Sequence, residues 1–127
     1  MNKIALLLGI LCFCTPTYVY AKRTAPKKVA SVAHEGIKYQ VVHYKTDNGE
    51  QNGGYVEAIA EKSGKKLWGS LLYLVEYDKS LEKDVQDCFI TSLDLNKQKT
   101  RLEVTSEAGN LYYLNLKTLK VIHVMRR

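Results

Sequence analysis

Apolar and polar residues alternate in short runs along most of this chain, with the period of a β-strand. In the run GIKYQVVHYK, Ile37, Tyr39 and Val41 fall on one face, while Lys38 and Gln40 fall on the other. The same period recurs in YVEAIAEK, CFITSLDL, RLEVTSE, LYYLNL and VIHVM. Because no helical period is sustained after residue 21, the body of the chain is predicted to be all-β.

Turn signals separate these runs, and they include TDNGEQNGG, Ser63-Gly64 and Ala108-Gly109-Asn110. The run KLWGSLLYLVEY is apolar on both faces from Leu71 to Val75, so it is predicted to be a central strand. The runs together amount to about seven strands. The predicted fold is therefore a single antiparallel domain with a sandwich-like arrangement of sheets.

Residues 1–21 have the pattern of a secretory signal peptide. Lys3 supplies a positive charge, Ile4 to Phe13 form an apolar run, and Val19-Tyr20-Ala21 ends in a small-residue cleavage pattern. The apolar run is about ten residues long, whereas a helix that spans a bilayer needs ~20. We therefore expect cleavage after Ala21 and a soluble mature protein that is periplasmic or secreted. Cleavage would leave Cys88 as the only cysteine, within an apolar stretch that favours a buried thiol.

The net charge of +6 lies in the tails of the chain. Between Val29 and Met125 there are 12 basic and 13 acidic residues, so this part carries −1 (12 − 13). A nucleic-acid-binding domain requires a basic stripe on its folded face, so no specific nucleic acid is expected as a partner. Residues 22–35 are predicted to be a flexible basic lead-in to a single β domain over 36–127, with at most weak electrostatic contact to a membrane or cell wall.

Acidic residues concentrate in EYDKSLEKDVQD, residues 76–87, which we call the acidic connection. It interrupts the strand pattern, and it is predicted to be a self-capped loop with room for one turn of helix. Its irregular spacing and its two lysines do not fit a calcium loop. The candidate interaction residues are its five carboxylates together with the single tryptophan: Trp68, Glu76, Asp78, Glu82, Asp84 and Asp87.

Motifs for catalysis and cofactor binding do not occur in the sequence. It contains no HExxH, no GxSxG and no GxGxxG. We therefore predict no catalytic residues, no metal ligands and no cofactor.

One stretch resembles a known repeat. Gly54, Val56 and Ala58, followed by Ser63-Gly64-Lys65 and Trp68, resemble the blade repeat of quinoprotein-like β-propellers, and a weaker echo follows over 109–121. The resemblance covers about 45 residues and implies a hairpin with Trp68 packed on a neighbouring sheet. A propeller closes with four to eight blades, and this body has room for about two. The resemblance therefore adds a two-blade, incomplete propeller as an alternative arrangement and implies no quinone cofactor.

A further likeness concerns the stretch from Tyr77 to Ile90, which is similar to one in small exported β-proteins and implies no activity. The leading hypothesis is an exported, non-enzymatic interaction domain that binds another envelope or extracellular protein through a sheet face, an edge strand or the acidic connection. One alternative is an inhibitor or immunity-type protein whose acidic connection enters the basic cleft of a lytic enzyme. Another alternative is a small hydrolase or a carbohydrate binder that uses Trp68.

Overall fold

Eight strands and one turn of helix make up the regular structure of residues 23–44 and 51–125, which the computed structural model describes. The predicted signal peptide, residues 1–21, lies outside the described residues. The elements in chain order are β1 (Val32–His34), β2 (Ile37–Val42), β3 (Tyr55–Ala60), β4 (Lys66–Leu71), α1 (Lys83–Gln86), β5 (Ile90–Leu95), β6 (Arg101–Ser106), β7 (Leu111–Asn115) and β8 (Val121–Val124).

The strands form two antiparallel sheets of four, in the orders β1-β2-β3-β4 and β5-β6-β7-β8. Each sheet is a meander, because every strand pairs with the next one along the chain. The predicted all-β, two-sheet fold is confirmed. The eighth strand is β1, which lies within residues 22–35, the segment assigned above to the lead-in. Its hairpin turns at Glu35 and Gly36, whose φ values of 50° and 78° suit a two-residue turn between strands.

The hydrophobic core draws on one face of each sheet. Val56 and Ala58 of β3 are at most 1% exposed, and they lie beside Tyr39 of β2 on the same face. Alternate residues of the second sheet, Leu102, Val104 and Leu114, are fully buried in the same cluster. These residues are the apolar faces that the alternation predicts, because successive side chains of a strand point to opposite sides of its sheet.

The two sheets meet closely where the loop before β3 passes the chain just before β5. A Cβ atom at Gly53 would lie 2.3 Å from the carbonyl oxygen of Cys88, and Gly53 has a φ of +81°. Both facts require glycine, because it has no Cβ and adopts positive φ without strain. The hydroxyl of Tyr73 donates to the same carbonyl at 2.6 Å, which fixes the start of β5 against the end of the first sheet.

The segment predicted to be a central strand is an edge strand followed by irregular chain, so that prediction is wrong. β4 ends at Leu71 and lies at the edge of its sheet, and Leu74 is 80% exposed. The buried side chain of Gln51 explains the departure from the sheet. It donates to the Tyr73 carbonyl at 3.1 Å and accepts from the Val75 N–H at 2.9 Å, so these backbone groups bond a side chain rather than a strand.

Candidate functional site

The acidic connection links the last strand of the first sheet to the first strand of the second. It contains α1 at Lys83–Gln86, where the sequence predicted room for one helical turn. Its side chains divide into a bonded framework, a buried carboxylate and an exposed surface. The surface is the part that can meet a partner.

Gln86 is the centre of the framework. Its Nε2 donates to the carbonyl oxygens of Asp78, Leu81 and Glu82 at 3.0, 3.3 and 3.1 Å, and its Oε1 accepts from the Asp78 N–H at 2.6 Å. One side chain thereby closes the loop on itself. Sequence reasoning missed Gln86, because an amide that satisfies backbone groups eight residues away leaves no periodic signal.

Asp78 closes the start of the same loop. Its Oδ1 accepts from the backbone N–H of Ser80 at 2.9 Å and from the Ser80 hydroxyl at 2.7 Å. This is a local side-chain turn of the kind that Asp favours. The hydrogen bonds from Ser80 stabilise the charged form, so the pKa of Asp78 is lowered although the side chain is exposed. The signal for this turn is the Asp-x-Ser spacing, and it agrees with the prediction of a self-capped loop.

Asp87 differs from the other candidate carboxylates because it is buried, at 5% exposure. Its Oδ1 accepts from the Tyr77 hydroxyl at 2.5 Å, and Asn52 donates to its Oδ2 at 3.4 Å. Burial, and then the hydrogen bond to this carboxylate, raise the pKa of Tyr77 well above its ordinary value. The structure thus places Asp87 in an internal anchor that ties the connection to the loop before β3.

The exposed surface of the connection combines carboxylates with apolar side chains. Leu81 and Val85 are 57% and 44% exposed, and Leu74, two residues before the connection begins, is 80% exposed. A small hollow of about 150 Å³ lies between Leu81, Val85 and their polar neighbours. The four other candidate carboxylates are also exposed, namely Glu76, Asp78, Glu82 and Asp84. Four of the six candidate residues are therefore exposed carboxylates on one ordered loop that also exposes Leu81 and Val85.

Trp68 is the sixth candidate residue, and it lies on a separate element. It is half-buried on the core face of β4, paired in register with Ala58, and its ring centroid is 6.0 Å from that of Tyr39. This position suits an aromatic side chain that packs on its own sheet and on the core.

Two features at the start of β5, the contacts of Arg23 and the exposure of Cys88, were not expected from the sequence. The Arg23 guanidinium lies over the Phe89 ring at 4.7 Å, donates to the Asp87 carbonyl at 2.6 Å and pairs with the Glu107 carboxylate. Cys88, expected to be buried, is half-buried and carries a free thiol. Arg23 comes from the segment assigned to the lead-in, and nothing in that short basic run distinguishes it from its neighbouring lysines.

Within residues 23–44 and 51–125, no group of three or more His, Cys, Asp or Glu side chains is arranged to hold a metal ion. This part of the chain also contains no helix with the length and apolar character needed to cross a membrane. No protein-family model matches the sequence, and neither a curated protein nor a solved structure matches it.

Proposed function

We propose that the protein is an exported, non-enzymatic interaction domain that binds another envelope or extracellular protein through its acidic connection. The observation that carries the proposal is the exposure of Leu81 and Val85 on a loop whose backbone is held by Gln86, with Leu74 exposed just before that loop. Leu81 and Val85 line one hollow, and neighbouring apolar side chains left in water favour burial against a partner. A loop that is already ordered loses less entropy when it binds.

The charge of the connection indicates the chemistry of the partner. Residues 76–87 contain five carboxylates and two lysines, which gives −3 (2 − 5), and one of the carboxylates, Asp87, is buried. Exposed charges at the rim of an interface raise the association rate with an oppositely charged surface and select against like-charged partners. The partner should therefore present a basic rim around an apolar centre.

Site-specific crosslinking tests this assignment. A photo-reactive residue is placed at Leu81, and in a matched chain at Lys62 in the β3–β4 turn, and each protein is exposed to envelope extract and to culture medium. We expect one protein to crosslink at position 81 in stoichiometric yield and not at position 62. Equal crosslinking at both positions, or none at position 81, would contradict the proposal.

A purified partner then allows the role of charge to be measured. The double reversal Glu82→Lys with Asp84→Lys should slow association several-fold and flatten its salt dependence, because rim charges act on encounter. The control is Glu35→Lys with Glu61→Lys, an equal charge change on exposed turns, and it should leave the association rate within about twofold. Identical salt slopes for the wild type and the connection variant would show that the carboxylates take no part.

A narrower function suits the same surface: an inhibitor or immunity-type protein that blocks a lytic enzyme. The exposed carboxylates Glu76, Glu82 and Asp84 favour it, because they can enter a basic cleft. The distinguishing measurement is the activity of the captured protein. Stoichiometric loss of that activity supports inhibition, whereas full activity in the complex supports a plain interaction domain.

A further inference from the structure

The second sheet gathers positive charge at one end, which the sequence does not reveal. The turn 96–100 joins β5 to β6, and the turn 116–120 joins β7 to β8; antiparallel pairing brings both to the same end of the sheet. The Leu116 N–H donates to the Thr100 carbonyl at 3.0 Å and links the two turns directly. Residues 96–101 and 115–120 together form what we call the basic end.

Five positive charges lie in the basic end, and one of them, Arg101, is paired with Glu103 of β6: Lys97, Lys99, Arg101, Lys117 and Lys120. All four lysines are exposed. The body of the chain has a charge near zero because the acidic connection, at −3, and the other carboxylates together outweigh these five cations. The acidic connection lies at the other end of β5. A strand of six residues is roughly 17 Å long. This length exceeds the Debye length of about 8 Å at physiological salt, so the positive field of the basic end and the negative field of the acidic connection are screened from each other.

A groove of about 470 Å³ opens at this end of the sheet. Arg101 and Lys120 are among its lining residues, and Tyr113 and Ile122 contribute apolar surface. The Arg101 guanidinium lies 3.7 Å from the centre of the Tyr113 ring, and its Nη2 is paired with Glu103 at 3.2 Å. Stacking and pairing hold the cation in place, which lowers the entropy that a ligand must overcome.

Two asparagines hold the turns that flank the groove. The Asn96 Oδ1 accepts from the backbone N–H groups of Thr100 and Arg101 at 2.9 and 3.0 Å. The Asn115 Oδ1 accepts from Lys117 and Thr118 at 2.8 and 3.0 Å. Each turn therefore presents its lysines from a fixed backbone.

Each of the two turns also keeps a non-glycine residue in the left-handed region, Lys99 at φ 60° and Leu119 at φ 61°. Glycine occupies such positions without strain, whereas other residues adopt them at an energetic cost. Lys99 therefore places a cation at the strained position of the first turn, and Leu119 places an apolar side chain, 37% exposed, at that of the second. Ile122, beside the groove, is 61% exposed.

We propose that the basic end binds the phosphate group of an anionic phospholipid headgroup at a membrane surface, with the headgroup in the groove between Arg101 and Lys120. Guanidinium and ammonium groups are the side chains that pair with phosphate. Exposed Leu119 and Ile122 beside the cations suit the boundary between headgroups and acyl chains, where cationic and apolar groups bind together. The acidic connection, at the other end of β5, then points away from the membrane, available to a protein partner.

Vesicle binding tests this proposal. The processed protein, residues 22–127, is mixed with vesicles of phosphatidylcholine containing 30 mol% phosphatidylglycerol, and with vesicles of phosphatidylcholine alone, and bound protein is measured by flotation. We expect binding to the anionic vesicles to be stronger and to weaken with salt. A cation near an anionic surface contributes a factor of about five, so Lys117→Gln with Lys120→Gln should weaken binding roughly 10- to 25-fold.

Matched variants locate the effect. Lys62→Gln with Lys65→Gln removes the same charge from the β3–β4 turn, and Lys27→Gln with Lys28→Gln removes it from the N-terminal segment. Both should change binding by less than about threefold. Arg101→Lys keeps the charge but loses the planar guanidinium, and we expect weakening of about threefold or more. Thermal unfolding of each variant checks that its fold is retained.

Three results would overturn the proposal. Equal weakening by all three double variants would show that only net charge acts. A loss confined to the Lys27 and Lys28 variant would transfer binding to the N-terminal segment. Tighter binding of a soluble glycerol phosphate polymer or of a short single-stranded oligonucleotide than of the anionic vesicles would assign the groove to that ligand instead. Each of these results leaves the crosslinking test of the acidic connection unaffected.

Discussion

Replacing Gln51 with alanine should destabilise the protein more than any change on the acidic surface. The side chain is 6% exposed and makes three hydrogen bonds, to the Gly53 carbonyl at 3.0 Å, the Tyr73 carbonyl at 3.1 Å and the Val75 N–H at 2.9 Å. Each such bond contributes about 1 kcal/mol net, and a buried group left unsatisfied costs up to ~3 kcal/mol. We expect Gln51→Ala to lower the free energy of unfolding by about 3–5 kcal/mol.

The assay is urea unfolding together with thermal unfolding, both followed by circular dichroism. A loss of 3 kcal/mol corresponds to a fall in Tm of roughly 12–24 °C for a domain of this size. Gln98→Ala is the matched control, because Gln98 is an exposed turn residue that accepts one hydrogen bond from Asn96 at 3.2 Å. The control should stay within about 0.5 kcal/mol of wild type. If Gln51→Ala also loses less than about 1 kcal/mol of unfolding free energy, Gln51 does not hold the segment after β4.

Gln51→Glu tests the same hydrogen bonds through the pH dependence of stability. The new carboxylate still accepts from Val75 but faces two carbonyl oxygens that require a donor. Burial and those carbonyls raise its pKa in the folded state above the unfolded value of about 4.3. A raised folded pKa means that stability is fully present below the unfolded pKa and is lost as pH rises. The variant should therefore be closest to wild type near pH 4, and a deficit that is constant with pH would contradict this account.

Three further experiments, two with substitutions and one with thiol labelling, test other parts of the structure. Burial, and then the proximity of Cys88, raise the pKa of Tyr73, so its hydroxyl loses the proton at a lower pH in the unfolded chain than in the folded protein. The free energy of unfolding should therefore fall as pH rises above about 10. Tyr73→Phe should reduce this fall, measured by urea titrations at pH 9 and 11. Trp68→Ala removes a half-buried ring packed on Tyr39 and should cost about 3 kcal/mol in the same urea assay; an unchanged Tm with lost ligand binding would instead make Trp68 a recognition residue. Cys88 is half-buried, so a thiol reagent should label the native protein more slowly than the unfolded protein, and equal rates would show a fully exposed thiol.

Local patterns in the sequence determined the strands and their faces. Val56 and Ala58 are predicted to be core residues by their period alone, and the turns at Ser63-Gly64 and Ala108-Gly109-Asn110 separate strands as predicted. The reason is physical: a strand's side chains alternate whatever its neighbours are, and a tight turn needs particular residues wherever it occurs. The helical turn within the acidic connection belongs to the same class of local prediction.

Long-range bonds decided where the chain leaves the first sheet. The run after Leu71 is as apolar as a central strand, but the Gln51 amide, more than twenty residues earlier in the chain, takes its backbone groups. Asp87 likewise accepts from Asn52, 35 residues earlier in the chain, whereas the partners of Gln86 lie only four to eight residues away. Hydrophobic periodicity predicts which residues are buried, but it does not predict which polar side chain will hydrogen-bond which backbone group.

The distribution of charge was also decided by tertiary structure. Counted along the sequence, the body is nearly neutral, and its lysines are scattered among its acids. Antiparallel pairing brings the turns 96–100 and 116–120 together and leaves the acidic connection at the opposite end of β5. The sequence by itself determined an all-β fold and the composition of each turn; only the pairing of strands decided which turns stand side by side, because the electric field of a surface depends on distances in space and not along the chain.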